Sequence, residues 1–358
     1  MGLGLRCGQE TPEVGGEVHA ALQVAEARHH ALEGERVRVE PLEGVGGIGA
    51  LGGAARTLYL GGGTPSLWEP SELGRFLTAL RAAPGLAPGA ELTLEANPAE
   101  VTPDRVAAWR DLGVNRVSLG VQALDDPMLR SADRLHDAAT AERALDLIAT
   151  AGFASWSADL IFGLAQQTLA NWDQTLSRAL AFAPPHLSVY ALTVEPRTTL
   201  ARQVRDGAVT LPGDSVQVRM LFRARERLRA AGYVHYEVSS YAKPGHRAVH
   251  NSSYWEMRPY LGLGPGAHGF APPERRTNVR RPRQYIERAT AAEVERARRA
   301  AERGAAKGQL GDQRVGERAL GDGARGRHGE VAVRAVVPAV REVDVDAARA
   351  GLGRHQRV

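Results

Sequence analysis

The chain has 358 residues, a formal net charge of +4 and one cysteine, Cys7. That length suits about two domains or one α/β barrel with additions, and a single thiol excludes a disulfide framework, a zinc ribbon and a Cys-ligated iron–sulfur cluster held by this chain alone. No run approaches the roughly 20 apolar residues that cross a bilayer, and the Met-Gly-Leu-Gly-Leu start lacks the charge and apolar stretch of a signal peptide, so the expectation is a cytoplasmic protein with no integral membrane segment.

All 19 aromatics lie between Tyr59 and Tyr285, which confines the packed part of the chain to its middle. Residues 1–56 are Gly-rich and show only a weak helical pattern over 18–32, through Leu22, Ala25 and Leu32. From Thr57 onward, short apolar runs alternate with amphipathic helices, the pattern of a parallel sheet with crossover helices. A strand at 57–60 ends in Gly61-Gly62-Gly63-Thr64-Pro65, and Leu73, Phe76, Leu77 and Leu80 then share one helical face. The next strand, 91–95, precedes Thr102-Pro103-Asp104, an N-cap, a proline at the first helical position and an acid in the first turn.

A strand at 116–121 leads to a helix through Ala141, Leu145 and Ile148, and a strand at 156–162 to a helix carrying Leu169, Trp172, Leu176 and Leu180. The strand 187–192, the long helix 215–231 and the strand 234–238 complete the series. Gly113, Gly152 and Gly232 are placed to stop helices. Six strands are visible, and periodicity alone leaves both a barrel and a doubly wound sheet open.

The tail is different. Of its last 63 residues, 45 are Gly, Ala, Arg or Val, and lysine occurs only at 243 and 307 in the whole chain. GC-rich codons supply such residues, so an out-of-frame reading and a solvated basic tail both fit. A nucleic-acid tail fits less well, because acids such as Asp344 and Asp346 interrupt the arginines.

In α/β barrels the active site is built at the C-terminal ends of the strands. Here those ends read Gly61-Gly62-Gly63-Thr64, Glu95-Ala96-Asn97-Pro98, Gly120-Val121-Gln122 and Asp159-Leu160-Ile161-Phe162-Gly163. A triple glycine lets the backbone approach a ligand and present N–H groups. Glu95 and Asp159 accept from ribose hydroxyls or an ammonium group, and Gln122 both donates and accepts. Each feature alone also reads as a turn, a cap or a solvated strand end; their recurrence on successive strands points to a ligand.

These motifs, with Arg134-Leu135-His136, resemble the oxygen-independent coproporphyrinogen III oxidase family of radical S-adenosylmethionine (SAM) proteins. His235-Tyr236-Glu237, His250-Asn251-Ser252-Ser253-Tyr254-Trp255 and Tyr260-Leu261-Gly262-Leu263-Gly264-Pro265-Gly266-Ala267-His268-Gly269 look like its heme chaperone branch. The resemblance spans about 57–288 and implies a partial (β/α)6 barrel over 57–242, with a family-specific extension over 243–288 flanked by unmatched segments 1–56 and 289–358. It implies that Gly62, Gly63 and Thr64 meet the methionine end of SAM and that Glu95, Gln122, Arg134 and Asp159 line its nucleoside and a second SAM. His250, Asn251, Tyr254 and Trp255 become a heme-binding candidate: a neutral imidazole is a good iron ligand and aromatic rings stack on a porphyrin, although a histidine among aromatics is more often a packed one with its nitrogens satisfied. The partners implied are heme and an acceptor protein to receive it, with no nucleic acid.

The chain departs from the family in one decisive respect. Members hold a [4Fe–4S] cluster through Cys-x-x-x-Cys-x-x-Cys on the first barrel strand, and neither that motif nor a recognisable first strand is present before the strand at 57–60. Leu164-Ala165-Gln166-Gln167 also stands where Leu-Pro-Gly-Gln is usual. Three functions follow as expectations: a heme chaperone-like protein binding SAM and heme without a working cluster, an oxidase decarboxylating coproporphyrinogen III, or an inactive, frameshifted product. No catalytic residue is assigned.

Overall fold

The computed structural model describes residues 21–24 (backbone only), 54–62, 64–82 and 85–289. Six strands, Ala21–Val24 (β1), Ala55–Leu60 (β2), Leu86–Ala96 (β3), Arg116–Gln122 (β4), Ser155–Phe162 (β5) and His186–Ala191 (β6), pair in parallel in sequence order. Helices Pro70–Ala82 (α1), Pro103–Asp111 (α2), Asp126–Ser131 (α3), Ala138–Thr150 (α4) and Leu169–Ala181 (α5) occupy the crossovers from β2 to β6. Six parallel strands in this order form the partial barrel that the motifs implied.

Helix faces behave as their periodicity predicts. Leu73, Phe76, Leu77 and Leu80 on α1 are all buried, each contributing about 1.5–3 kcal/mol of apolar burial. Thr102 caps α2 by accepting from the Arg105 N–H, which stabilises a helix end by about 1 kcal/mol. Beyond β6 come Thr199–Arg205 (α6) and Asp214–Ala230 (α7), the latter packed through Met220, Ala224 and Leu228.

Alternation along the strands sets the character of the barrel. Leu58, Leu60, Leu92, Leu94, Val117, Leu119, Ala158, Leu160, Leu187 and Val189 belong to the apolar core beneath the helices. Their neighbours Tyr59, Thr93, Glu95, Arg116, Ser118, Ser157, His186 and Ser188 line a cavity of about 200 Å³. Ordinary (β/α)8 barrels fill that space with branched apolar side chains; this one keeps it polar, which is what a ligand-holding interior requires.

Two expectations are corrected. The weak helical pattern over 18–32 gives way at Ala21–Val24 to a strand, paired in parallel with β2 from Ala21↔Thr57 to Val24↔Leu60. An unpaired β2 edge would leave a row of backbone groups without partners, and that requirement outweighs local propensity. The strand expected over 234–238 is only Val234–His235 (β7), which runs antiparallel to Ser240–Ala242 (β8), itself antiparallel to β6. Glu237 accepts from the Ser239 N–H and the Tyr236 N–H bonds Ser240 O, so the chain reverses there instead of extending.

The rest of the described chain extends the sheet beyond β1. Val249–Trp255 (α8) is followed by Leu261–Leu263 (β9), which lies parallel to β1 on its outer side, and by a hairpin of His268–Ala271 (β10) and Glu274–Thr277 (β11). A helical segment covers 282–289. None of the described helices is long and apolar enough to cross a membrane.

Candidate functional site

The first crossover carries the closest backbone approach of the site. A Cβ at Gly61 would lie 2.5 Å from the Tyr59 ring and 2.8 Å from Glu95 Oε1, so the β2 end abuts the β3 end only without a side chain. The Tyr59 hydroxyl donates to Glu95 Oε1 at 2.6 Å and the Gly62 N–H to Oε2 at 3.0 Å. Burial raises the Tyr59 phenol well above its ordinary range, with Glu95 and then Asp159 adding to it. Gly63 lies outside the described residues.

Next to this pair, Asn97 Nδ2 donates to Thr64 Oγ1 at 2.9 Å, and Thr64 takes a left-handed φ of 75°. Gln122 is also left-handed, with φ 65°, and folds its amide back over Gly120, where a Cβ would meet Nε2 at 2.7 Å and Asn97 Oδ1 at 3.8 Å. The ends of β2, β3 and β4 thus bring Thr64, Asn97 and Gln122 together. Non-glycine residues held at positive φ concentrate where function fixes the backbone.

Asp159 on β5 stands deeper in the barrel. Ser118 donates to its Oδ2 at 2.6 Å and Ser157 to its Oδ1 at 2.7 Å. Desolvation raises its carboxyl to about 6 against the lowering effect of serine hydroxyls, and Glu95 adds like-charge repulsion. A chain of contacts continues away from it: Ser157 Oγ lies 2.9 Å from His186 Nδ1, and His186 Nε2 lies 2.8 Å from the Tyr236 hydroxyl. Desolvation, with Arg116 and His246 nearby, holds His186 neutral by lowering its pKa well below the ordinary value.

Arg134 and His136 occupy the turn between α3 and α4. His136 is buried with Nε2 3.3 Å from Val121 O, and desolvation lowers its pKa; it fixes this turn against the β4 end beside Gln122. Arg134 is half-buried in the same turn.

The α8 motif sits at the opposite end of the strands. His250 is 2 % exposed, with Nδ1 3.0 Å from Thr57 Oγ1 and Nε2 2.7 Å from the Tyr254 hydroxyl, and its ring stacks on Tyr59 at 4.9 Å. Both nitrogens are committed to protein partners, and desolvation lowers its pKa to about 3. Asn251 Nδ2 donates to Glu237 Oε1 at 3.3 Å, and Trp255 is exposed. Of the four motif residues, Tyr254 alone lines both the barrel cavity and a second hollow, of about 290 Å³, shared with Met257, Tyr260, His268, Phe270 and Arg275.

Sequence reasoning left several of these residues without a role: Tyr59, Ser118, Ser157, His186 and the buried pair Glu91–Arg116, whose charged groups lie 3.7 Å apart. Glu91 also accepts the N–H groups of Val249 and His250, at 3.1 and 2.8 Å, tying α8 to the base of β3. The strict polar–apolar alternation of β2 to β6 was the signal that could have revealed the interior set.

Comparison with known proteins bears on the fold. Residues 29–179 match the Radical SAM superfamily model. The heme chaperone HemW of Escherichia coli K12 is 39% identical over 243 residues, covering 66% of this chain and 63% of that protein. HemW of Synechocystis is 39% identical over 60% of this chain and 52% of its own length. The mouse mitochondrial radical S-adenosyl methionine domain-containing protein 1 is 41% identical over 60% and 49%. The chain therefore spans about half to five-eighths of these relatives' lengths. Among solved structures, the radical SAM coproporphyrinogen III oxidase HemN of E. coli shares the fold, with a TM-score of 0.63 at 22% identity over 77% of this chain and 70% of that one. The chain carries a radical SAM domain and is a homologue of the HemW heme chaperones.

Proposed function

We propose that this protein is a heme carrier built on a SAM-binding barrel, working in the cytoplasm and passing heme to an acceptor protein. The observation that supports it best is the joint placement of a polar strand-end site and an aromatic, His-containing hollow beside α8, in a homologue of proteins named as heme chaperones. A bound SAM brings a sulfonium, an amino-acid end and a nucleoside. Gly62 and Thr64 face the amino-acid end beside Glu95, whose carboxylate has acceptor sites left after Tyr59 and Gly62. Gln122, Arg134 and Asp159 serve the nucleoside. In the described residues Gly61 keeps the loop pressed on Glu95, and the serines hold the Asp159 carboxylate in one orientation.

The donor set does not fit a [4Fe–4S] cluster. Cys7 is the one thiol in the sequence, and no group of three or more His, Cys, Asp or Glu among the described residues is arranged to hold a metal ion. Cubane clusters take cysteine thiolates at their irons, so no radical step is derived for this chain, and the coproporphyrinogen oxidase reading has less support than the carrier reading. The test is retention and transfer: the full chain mixed with hemin and passed through gel filtration should elute with heme, then yield it to apomyoglobin. Elution free of heme would overturn the reading.

A further inference from the structure

The hollow beyond α8 has a chemistry that the strand-end site lacks. Just past the end of α8, beyond the capping residue Glu256, Met257 adopts a left-handed φ of 53°, a conformation usually given to Gly or Asn at a helix end. The Met257 side chain lines the hollow and is 52% exposed. Across from it, Tyr260 and Phe270 exchange backbone hydrogen bonds, each 2.8 Å, and their rings lie 6.1 Å apart. Tyr254 meets Tyr260 edge-on at 4.6 Å. Arg275 stands over the Phe270 ring at 5.5 Å, with its guanidinium at the solvent side.

His268 completes the set. Its Nδ1 lies 3.0 Å from Thr277 Oγ1 across the hairpin, and no hydrogen bond from the described residues engages Nε2. The backbone at His268 is pinned, because Gly262 packs so closely that a Cβ there would lie 2.2 Å from the His268 carbonyl oxygen. An exposed imidazole oriented through Nδ1 by a hydroxyl presents Nε2 as a metal ligand, and the partner on the other nitrogen fixes tautomer and orientation. His250, by contrast, has both nitrogens engaged and is buried.

We propose that this hollow is an iron–porphyrin site, with His268 Nε2 as an axial ligand to the iron. Tyr254, Tyr260 and Phe270 supply the apolar wall for the macrocycle, Met257 a thioether on the same rim, and Arg275 a cation for a porphyrin carboxylate. A volume near the lower end of ligand pockets seats one edge of the ring and leaves the rest accessible, as transfer to an acceptor demands. In this arrangement His250 is a positioning residue: it holds the Tyr254 hydroxyl and so aligns one wall of the site. The assignment rests on the heme-carrier reading and names its ligand.

The test is a hemin titration of the full chain without a histidine tag, read in the Soret region, for the wild type and for His268→Ala, Thr277→Val and His250→Ala. His268→Ala should lose the ligand-shifted band and recover it on addition of free imidazole. Thr277→Val, which removes the partner of Nδ1, should weaken binding by about tenfold. His250→Ala should keep the wild-type band position at lower affinity. A wild-type band in His268→Ala overturns the site while leaving the carrier reading intact, and loss of the band in His250→Ala alone assigns the ligand to His250 instead. A wild-type spectrum identical to free hemin overturns both. The exposed position of His268 makes its alanine variant tolerable to the fold, and a thermal transition within a few degrees of wild type confirms that.

Discussion

Tyr59 and Glu95 form a short polar link between adjacent strands at the site: the phenol donates to the carboxylate at 2.6 Å while the other oxygen takes the Gly62 N–H. This link sits where an apolar barrel would carry two aliphatic side chains, and it spaces the glycine loop from β3. Gly61→Ala places a methyl against both partners and is expected to cost about 1–3 kcal/mol. A lowered urea midpoint together with weaker SAM binding by calorimetry is the expected result; an unchanged midpoint refutes the packing argument.

The buried pair at the base of the barrel has a larger predicted effect. Glu91 lies 3.7 Å from Arg116, whose side chain is 4% exposed, and it also accepts two backbone N–H groups of α8. Glu91→Ala leaves the guanidinium buried without its carboxylate, and the expected destabilisation is about 3–5 kcal/mol. Denaturant unfolding measures it, and a change under about 1 kcal/mol, the scale of an exposed ion pair, would show that the pair is solvated.

His250 gives stability a defined pH dependence. Its folded pKa of about 3 lies below the ordinary 6.5, so the unfolded chain takes up a proton first as pH falls. The stability it contributes is complete above pH 6.5 and is lost progressively toward pH 3, about 2 kcal/mol by pH 5. His250→Gln keeps a polar side chain without the titration and should flatten unfolding free energy between pH 6.5 and 5 relative to wild type. Equal slopes would contradict the assignment.

Asp159 acts in the opposite sense. Burial raises its carboxyl from an ordinary 3.8 to about 6, so its contribution is complete below the lower value and declines as pH rises through the higher one. Asp159→Asn should therefore gain stability relative to wild type on going from pH 4 to pH 8, by about 2 kcal/mol. A loss that grows with pH would mean that the serine hydroxyls dominate the carboxylate's environment.

A single cysteine also makes a sharp prediction. Anaerobic reconstitution with iron and sulfide, followed by SAM and a reductant, should yield neither a cluster absorption band nor 5'-deoxyadenosine. Appearance of both would show that non-cysteine ligands or a second chain complete a cluster.

Much of the barrel was legible because its helices are amphipathic and capped: the α1 face, the Thr102 cap and the strands expected from 57, 116 and 156, which begin at Ala55, Arg116 and Ser155, follow from local pattern. The candidate residues stood out as polar groups at strand ends, and Gly62 and Glu95 are in contact. What escaped depends on pairing between distant segments. Ala21–Val24 becomes a strand through β2 and β9, not through its own composition. The α8 helix has seven residues and the hairpin strands four each, too short for periodicity to mark, and the His268–Thr277 contact exists only across that hairpin. That a histidine among aromatics is usually packed and satisfied holds for His250, but its partners could not be named from the sequence, because Thr57 lies far away along the chain and Tyr254 on a helix too short to mark.

The central claim is that this chain carries heme. Its most direct measurement is the equilibrium binding of hemin to the purified full chain at neutral pH, followed through the Soret band to saturation. The account predicts a shifted band that saturates with a single heme per chain and reverses on adding apomyoglobin. A spectrum that remains that of free hemin at every protein concentration would contradict it.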